Sequence, residues 1–324
     1  MARARTAART VGRFAETFEA VVDNVAHVIQ GKDETIRLAM VCMVAEGHLL
    51  IEDVPGVGKT TLAKALARSL DCEWNRIQFT PDLLPSDVMG VTVYARARGT
   101  FEFRPGGVFA NIVVGDEINR ASPKTQSALL EAMEERQVTV DTTTYPLPNP
   151  FMVLATQNPI EHEGTYPLPE SQMDRFLMRI RMGYPDRTSE IEMLDAQGGA
   201  AALEEIGAVI KPADVESMVE LARGIHVAPS LKAYVVDLAE ATRQHPSLAL
   251  GMSPRACLAL QRAARALAAS EGRDYVVPDN LKDLAAYVVE HRLVLTPEAG
   301  LGGTSVEDVL YEVLDSVPVP TGRR

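Results

Sequence analysis

One stretch of the chain limits the fold before anything else. His48-Leu-Leu-Ile-Glu52 is a short apolar run that passes into Asp53-Val-Pro-Gly-Val-Gly-Lys-Thr60 and then into a helical pattern through Leu70. A strand ending in a glycine loop, with Lys-Thr opening the next helix, is the architecture of a phosphate-binding loop. Glycine lets backbone N–H groups curl around phosphate oxygens with no Cβ in the way. The helix N-terminus adds partial positive charge. Lys59 is placed to reach the β- and γ-phosphates of a nucleotide, and the Thr60 hydroxyl to ligate Mg²⁺. The GxxxxGK[ST] pattern is incomplete, because Asp53 stands where Gly is expected. A carboxylate there must be turned outward by the backbone.

A second signal lies about 60 residues further on. Asn111-Ile-Val-Val-Gly-Asp-Glu117 reads as a buried strand ending in two acids. An apolar strand with an acidic end is common and means little alone. Set beside the phosphate loop it gains weight: if this strand neighbours the loop strand, Asp116 falls beside Thr60 and the metal, with Glu117 able to polarise a water.

The surrounding chain alternates. Short β-rich runs at His48–Glu52, Arg76–Phe79, Ile112–Gly115, Phe151–Thr156 and Phe176–Arg181 are separated by helical stretches, which predicts an α/β domain with a largely parallel sheet. Two hairpins are inserted: Gly90–Tyr94 with Thr100–Arg104, and Gln137–Asp141 with Thr144–Leu147, the second turning through Thr142-Thr143. Beyond Tyr184-Pro185 the strand signals fade. Helices are predicted at Ser189–Ala196, Pro212–Arg223, Ser230–Arg243, Pro254–Ala269, Pro278–His291 and Val306–Asp315, several opening with a capping residue and Pro. The expected division is an α/β core over 1–185 and an all-α domain over 186–324. At roughly 100–200 residues per domain, the 324 residues accommodate both.

Composition removes several classes of function. Apolar residues at 46% and charged residues at 23% exclude wholesale disorder. No apolar run approaches the ~20 residues of a membrane span, so a soluble protein is expected. A net charge of −12 argues against general affinity for nucleic acid. Cys42, Cys72 and Cys257 form no CxxC and read as buried apolar thiols, which points to a reducing cytoplasm. The basic N-terminus, MARARTAARTVGRF, lacks a secretory apolar region; it resembles a transit peptide in composition but reads more simply as a frayed tail leading into a helix. Glu161-His-Glu163 looks metal-like, yet its spacing is not that of a zinc site.

Together these runs resemble the MoxR family of AAA+ ATPases, of the helix-2-insert clade, over almost the whole chain. The resemblance is carried by Glu52-Asp-Val-Pro-Gly-Val-Gly-Lys-Thr-Thr61, Phe79-Thr-Pro-Asp-Leu-Leu-Pro-Ser-Asp87, Asp116-Glu-Ile-Asn-Arg120, Lys124-Thr-Gln-Ser-Ala-Leu-Leu-Glu-Ala-Met133, Ala155-Thr-Gln-Asn-Pro159 and Gly164-Thr-Tyr-Pro-Leu-Pro-Glu170. It implies a P-loop core with a parallel five-stranded sheet and inserted hairpins, followed by an all-α lid. ATP and Mg²⁺ are the implied ligands. The loop Asp53, Val54, Pro55, Gly56, Val57, Gly58, Lys59, Thr60 and Thr61 would bind the nucleotide with Asp116, and Thr60 and Asp116 would hold the metal.

The resemblance also implies roles that spacing alone does not supply. Asn158 matches the first sensor, which orients the attacking water; without the resemblance, a turn-forming Asn before Pro159 is the better reading. Arg175 matches the arginine finger that reaches a neighbouring subunit, where residue chemistry alone suggests a surface ion pair with Asp174. Arg255 matches the second sensor on the lid. Its place in a first helical turn is disfavoured by the helix dipole, which hints at an anionic partner. Glu117 with these three forms the implied catalytic set. The implied function is a ring-forming homo-oligomer, a hexamer by expectation, that remodels or activates client proteins with a von Willebrand factor A-type adaptor. Lid motion about Tyr184-Pro185 would turn hydrolysis into work. Two rivals remain: a DNA-translocating motor using the basic cluster Arg96, Arg98 and Arg104, and a nucleotide-gated scaffold with little turnover.

Overall fold

The computed structural model describes residues 2–54, 56–158, 165–185, 187–188, 190–191 and 200–320. Two compact units are present: Ala20–Phe176 with Ile180–Glu216, and Met1–Glu19 with Leu177–Arg179 and Ser217–Arg324.

One sheet has the strands β1 (Leu49–Glu52), β2 (Trp74–Gln78), β5 (Ile112–Asp116), β8 (Met152–Gln157) and β9 (Met178–Ile180), in the order β2-β5-β8-β1-β9; the first four lie in the α/β unit, and β9 falls at the limit between the units. Parallel pairing joins β2 to β5, β5 to β8, and β8 to β1. Residues Ile112–Gly115 of β5 are wholly buried, as a strand covered on both faces requires. Leu50, Ile77, Phe79, Val113, Leu129 and Val153 share one buried cluster. Each fully buried side chain of this size contributes about 1.5–3 kcal/mol of transfer free energy. The register aligns Gln78 with Asp116, Gly115 with Ala155, and Glu52 with Gln157, so the carboxyl ends of four strands finish together. That edge is where open parallel sheets bind ligands.

The helices in this part of the chain are α1 (Ala2–Ala26), α2 (Asp33–Val44), α3 (Lys59–Ser69), α4 (Pro85–Met89), α5 (Pro123–Glu135) and α6 (Glu170–Met173). Helix α1 runs from Ala2, so the basic segment expected to fray is helical instead. Ser122 caps α5 by accepting the Thr125 N–H, and Pro123 takes the first helical position, where a missing N–H costs nothing.

The hairpins are β3 (Gly90–Ala95) with β4 (Thr100–Pro105), and β6 (Gln137–Val140) with β7 (Thr143–Pro146). In the second, Val140 pairs with Thr143, so the turn is Asp141-Thr142 rather than Thr142-Thr143. Asp141 takes a left-handed φ of 55°, which Asp tolerates better than the β-branched Thr. The hairpins meet through Phe103 and Tyr145, whose rings stack at 3.9 Å.

In the second unit, helices Pro229–Gln244, Pro254–Ser270, Pro278–Val289 and Val306–Ser316 follow the predicted positions closely. Helix Pro212–Gly224 spans the limit between the units. The predicted helix Ser189–Ala196 falls largely outside the described residues, as does Glu161-His-Glu163 entirely. The predicted helix to His291 stops at Val289 and continues as a 3-10 turn, Glu290–Arg292. A two-stranded ribbon of β10 (Leu248–Leu250) and β11 (Val294–Leu295) was not expected. Strands of two and three residues are too short to show a period.

Cys42 is buried, but Cys72 and Cys257 are only half-buried. Burial, with Asp71 adding to it, pushes the Cys72 thiol up to about 12, and no disulfide joins the described cysteines. Among the described residues no helix is long and apolar enough to cross a membrane.

Candidate nucleotide site

A cleft of about 370 Å³ opens at the carboxyl edge of the sheet. Its floor is the loop from β1 to α3. Gly56 and Gly58 line it with φ of +88° and +93°, a region where an L side chain is strained even though nothing crowds Gly56. Gly58 is the N-cap of α3, so the open N-terminus of an eleven-residue helix faces the cleft through Lys59, Thr60 and Thr61. Val54 and Val57 complete the loop, and Pro55 lies outside the described residues.

Lys59 Nζ donates to the carbonyls of Asp53 at 2.7 Å and Val54 at 3.1 Å. Burial pulls its ammonium below the usual lysine value, while Asp53, Asp116 and Glu117 act in the opposite sense. The Asp53 carboxylate is turned aside, as the incomplete motif requires. One oxygen accepts the Val54 N–H at 2.8 Å, and the other accepts the N–H of Gly183. Asp53 thereby ties the start of the loop to a segment 130 residues away. Asp53→Ala is expected to lower unfolding free energy by about 1–2 kcal/mol and Asp53→Asn by less, because the amide oxygen still accepts. Chemical denaturation of the three proteins without nucleotide tests this; equal midpoints would remove the tether.

The wall opposite is acidic. Asp116 ends β5, and Glu117 follows with a φ of +56°, uncommon for a residue with a Cβ. Thr156 of β8 joins the two: its hydroxyl donates to Asp116 Oδ1 at 2.5 Å and accepts the Glu117 N–H at 2.9 Å. Glu117 Oε2 accepts from Gln78 Nε2 at 2.9 Å and from Arg120 Nη1 at 3.3 Å. Arg76 donates to Asp116 Oδ2 from Nε at 3.1 Å and Nη2 at 2.5 Å. Asn158, just beyond β8, is buried and lines the same cleft.

Five described residues implied by the resemblance, Asp53, Val54, Val57, Arg175 and Arg255, are not among those lining this cleft. Arg175, two residues beyond α6, places Nε 3.1 Å from Glu134 Oε2. Arg255 is exposed in the first turn of helix Pro254–Ser270, behind the Ser253 cap, in the other unit. Conversely, Arg76, Gln78 and Thr156 line the cleft although the sequence reading passed over them. Arg76 and Gln78 sit two apart on one face of β2, a period-two polar signal at the end of a predicted strand that could have flagged them.

The donor set fits a magnesium nucleotide. The left-handed glycines and the helix N-terminus form an anion cradle. The cleft offers two carboxylates, Asp116 and Glu117, and the hydroxyls of Thr60, Thr61 and Thr156, and no cluster of three or more His, Cys, Asp or Glu that could hold a metal exists among the described residues. Mg²⁺ keeps water and phosphate oxygens and needs only such partial protein ligation.

A P-loop after β1 of a five-stranded parallel sheet, with paired acids at the end of β5 and β8 lying between the two strands, defines an AAA+ ATPase. Family models agree: residues 48–178 match the ATPase family associated with various cellular activities, and 240–313 match the AAA lid domain. The uncharacterized protein YeaC of Bacillus subtilis is 49% identical, with 93% of this chain and 94% of YeaC aligned. Chaperone MoxR1 of Mycobacterium tuberculosis is 42% identical over 94% of this chain and 82% of its own length. The crystal structure of a proposed ATPase from Cytophaga hutchinsonii superposes with a TM-score of 0.91 at 38% identity, covering 99% of this chain and all of that one. The chain belongs to the MoxR family of AAA+ ATPases.

Proposed function

We propose that the chain is a Mg²⁺-dependent, ring-forming ATPase that acts on protein clients as a chaperone-like remodelling or activation factor. The observation that carries this reading is the convergence of the glycine loop, Lys59, Thr60, Asp116, Glu117 and Asn158 on one cleft. The chaperone output rests on the name of the mycobacterial relative and on the inserted hairpins, whose Tyr94 and Phe101 are exposed side by side. In this reading residues 1–185 form the nucleotide-binding core, 186–324 the lid, and a von Willebrand factor A-type adaptor links a cytoplasmic hexamer to its clients.

Each side chain has a task. The Gly56–Gly58 backbone and Lys59 neutralise the phosphates, and Thr60 with Asp116 holds the cation. Mg²⁺, held there, would supply charge neutralisation on the bound phosphates. Glu117 accepts the proton of the attacking water while Asn158 orients that water. Arg175 completes the site of a neighbouring subunit, consistent with its position off its own cleft, and Arg255 serves as the second sensor.

A DNA motor is the weaker reading. Of the hairpin's three arginines, Arg98 is already held by Glu102 at 2.8 Å.

Lys59→Ala tests the phosphate loop. It removes a charged donor and is expected to weaken nucleotide binding about 10–100-fold, charged hydrogen bonds being worth about 1.5–3 kcal/mol. Fluorescent-nucleotide titration measures it, and unchanged affinity would overturn the assignment. ATPase rate against protein concentration, with mass by size exclusion, tests assembly: specific activity that rises with concentration marks a shared interfacial site.

A further inference from the structure

We propose that Arg76 is a tethered counter-ion for the metal-binding carboxylate, and that it sets the cation concentration at which the site loads. The inference rests on reading the cleft as a magnesium–nucleotide site, and goes beyond it by assigning a residue that no phosphate or metal motif includes.

Asp116 is the least exposed charge in the pair, at 14% against 47% for Arg76. A carboxylate that far from water needs a partner or several donors. Two are in place. Thr156 occupies Oδ1, while the Arg76 guanidinium places both Nε and Nη2 on Oδ2. The same Nη2 also donates to Gln78 Oε1 at 2.6 Å, which gives the guanidinium a second anchor. Gln78 in turn donates to Glu117, so one strand, β2, holds both Asp116 and the acid that follows it.

A cation approaching Asp116 therefore meets an occupied oxygen and a fixed positive charge. Either the guanidinium withdraws, breaking two charge-assisted hydrogen bonds, or it stays and repels the ion. Both routes weaken cation binding, so the sign of the effect does not depend on which occurs. Withdrawal is open to Arg76, because β2 is the edge strand of the sheet and nearly half of the side chain already contacts solvent. The benefit is a carboxylate held in its binding rotamer between turnovers; the cost is a higher cation requirement.

The test is a Mn²⁺ titration of the full chain with saturating ADP, followed by the EPR signal of the unbound ion. Saturating ADP separates cation affinity from any change in nucleotide affinity. Arg76→Gln, neutral and of similar length, is expected to bind Mn²⁺ about 3–30-fold more tightly, the range expected when one part-exposed charge-assisted pair is removed. Arg76→Lys keeps the charge but loses the fork, and is expected to shift in the same direction by less. It also provides a second reading should the glutamine variant not fold. Unchanged or weaker Mn²⁺ binding in a folded variant overturns the proposal while leaving the nucleotide site intact. Wild-type protein that binds no Mn²⁺ in the presence of ADP overturns both.

Discussion

Glu117→Gln is expected to leave ATP binding within about threefold of wild type while reducing turnover by roughly 10²–10⁴-fold, the usual contribution of a positioned general base. The geometry explains why the two effects separate. Glu117 makes its fixed contacts through the backbone N–H to Thr156 and through Oε2 to Gln78 and Arg120. A glutamine oxygen accepts from the same donors, so the left-handed backbone and the acidic wall are preserved. The amide cannot take a proton from water. Nucleotide titration beside a phosphate-release assay reads both quantities. Loss of binding would show that Glu117 supports the site structurally, and turnover within tenfold of wild type would remove it from the chemistry.

The parts of this site that could be read from sequence are those contiguous along the chain. The phosphate loop lies between Glu52 and Thr61, and strand, turn and helix N-terminus all follow from local chemistry. Even the outward turn of Asp53 could be anticipated, although its partner could not. Gly183 lies 130 residues away and comes close only through the crossover to the β9 edge. Asp116 and Glu117 were legible in combination with that loop.

Arg76, Gln78 and Thr156 were not, and the reason is topological. Strand order β2-β5-β8-β1 interleaves the sequence, so the neighbours of β5 are strands drawn from either side of it in the chain. No local pattern specifies that order. The same limit affects the lid, where the ribbon of β10 and β11 joins segments more than forty residues apart through strands too short to display a period. Helices there were legible because each carries its own start signal, such as the Ser253 cap accepting the Ala256 N–H.

The second large effect concerns assembly. Arg175→Ala is expected to cut turnover on the order of 10³–10⁵-fold, as loss of an arginine finger does, while leaving nucleotide binding unchanged. Local stability should hardly change. The Arg175–Glu134 pair is partly exposed, with side chains 28% and 37% accessible, and such pairs contribute about 0–1 kcal/mol. A large kinetic loss without a matching loss of stability would therefore point to a role outside the subunit's own fold. Mixing distinguishes that role from a local one. An Arg175→Ala subunit keeps Glu117, and a Glu117→Gln subunit keeps Arg175. When the two inactive proteins assemble at random in equal amounts, about a quarter of the interfaces in a cyclic ring pair an intact site with an intact finger. Activity should then recover to a corresponding fraction of wild type. A mixture as inactive as its components would place Arg175 in its own subunit's structure, and the interfacial mechanism would need a different cation.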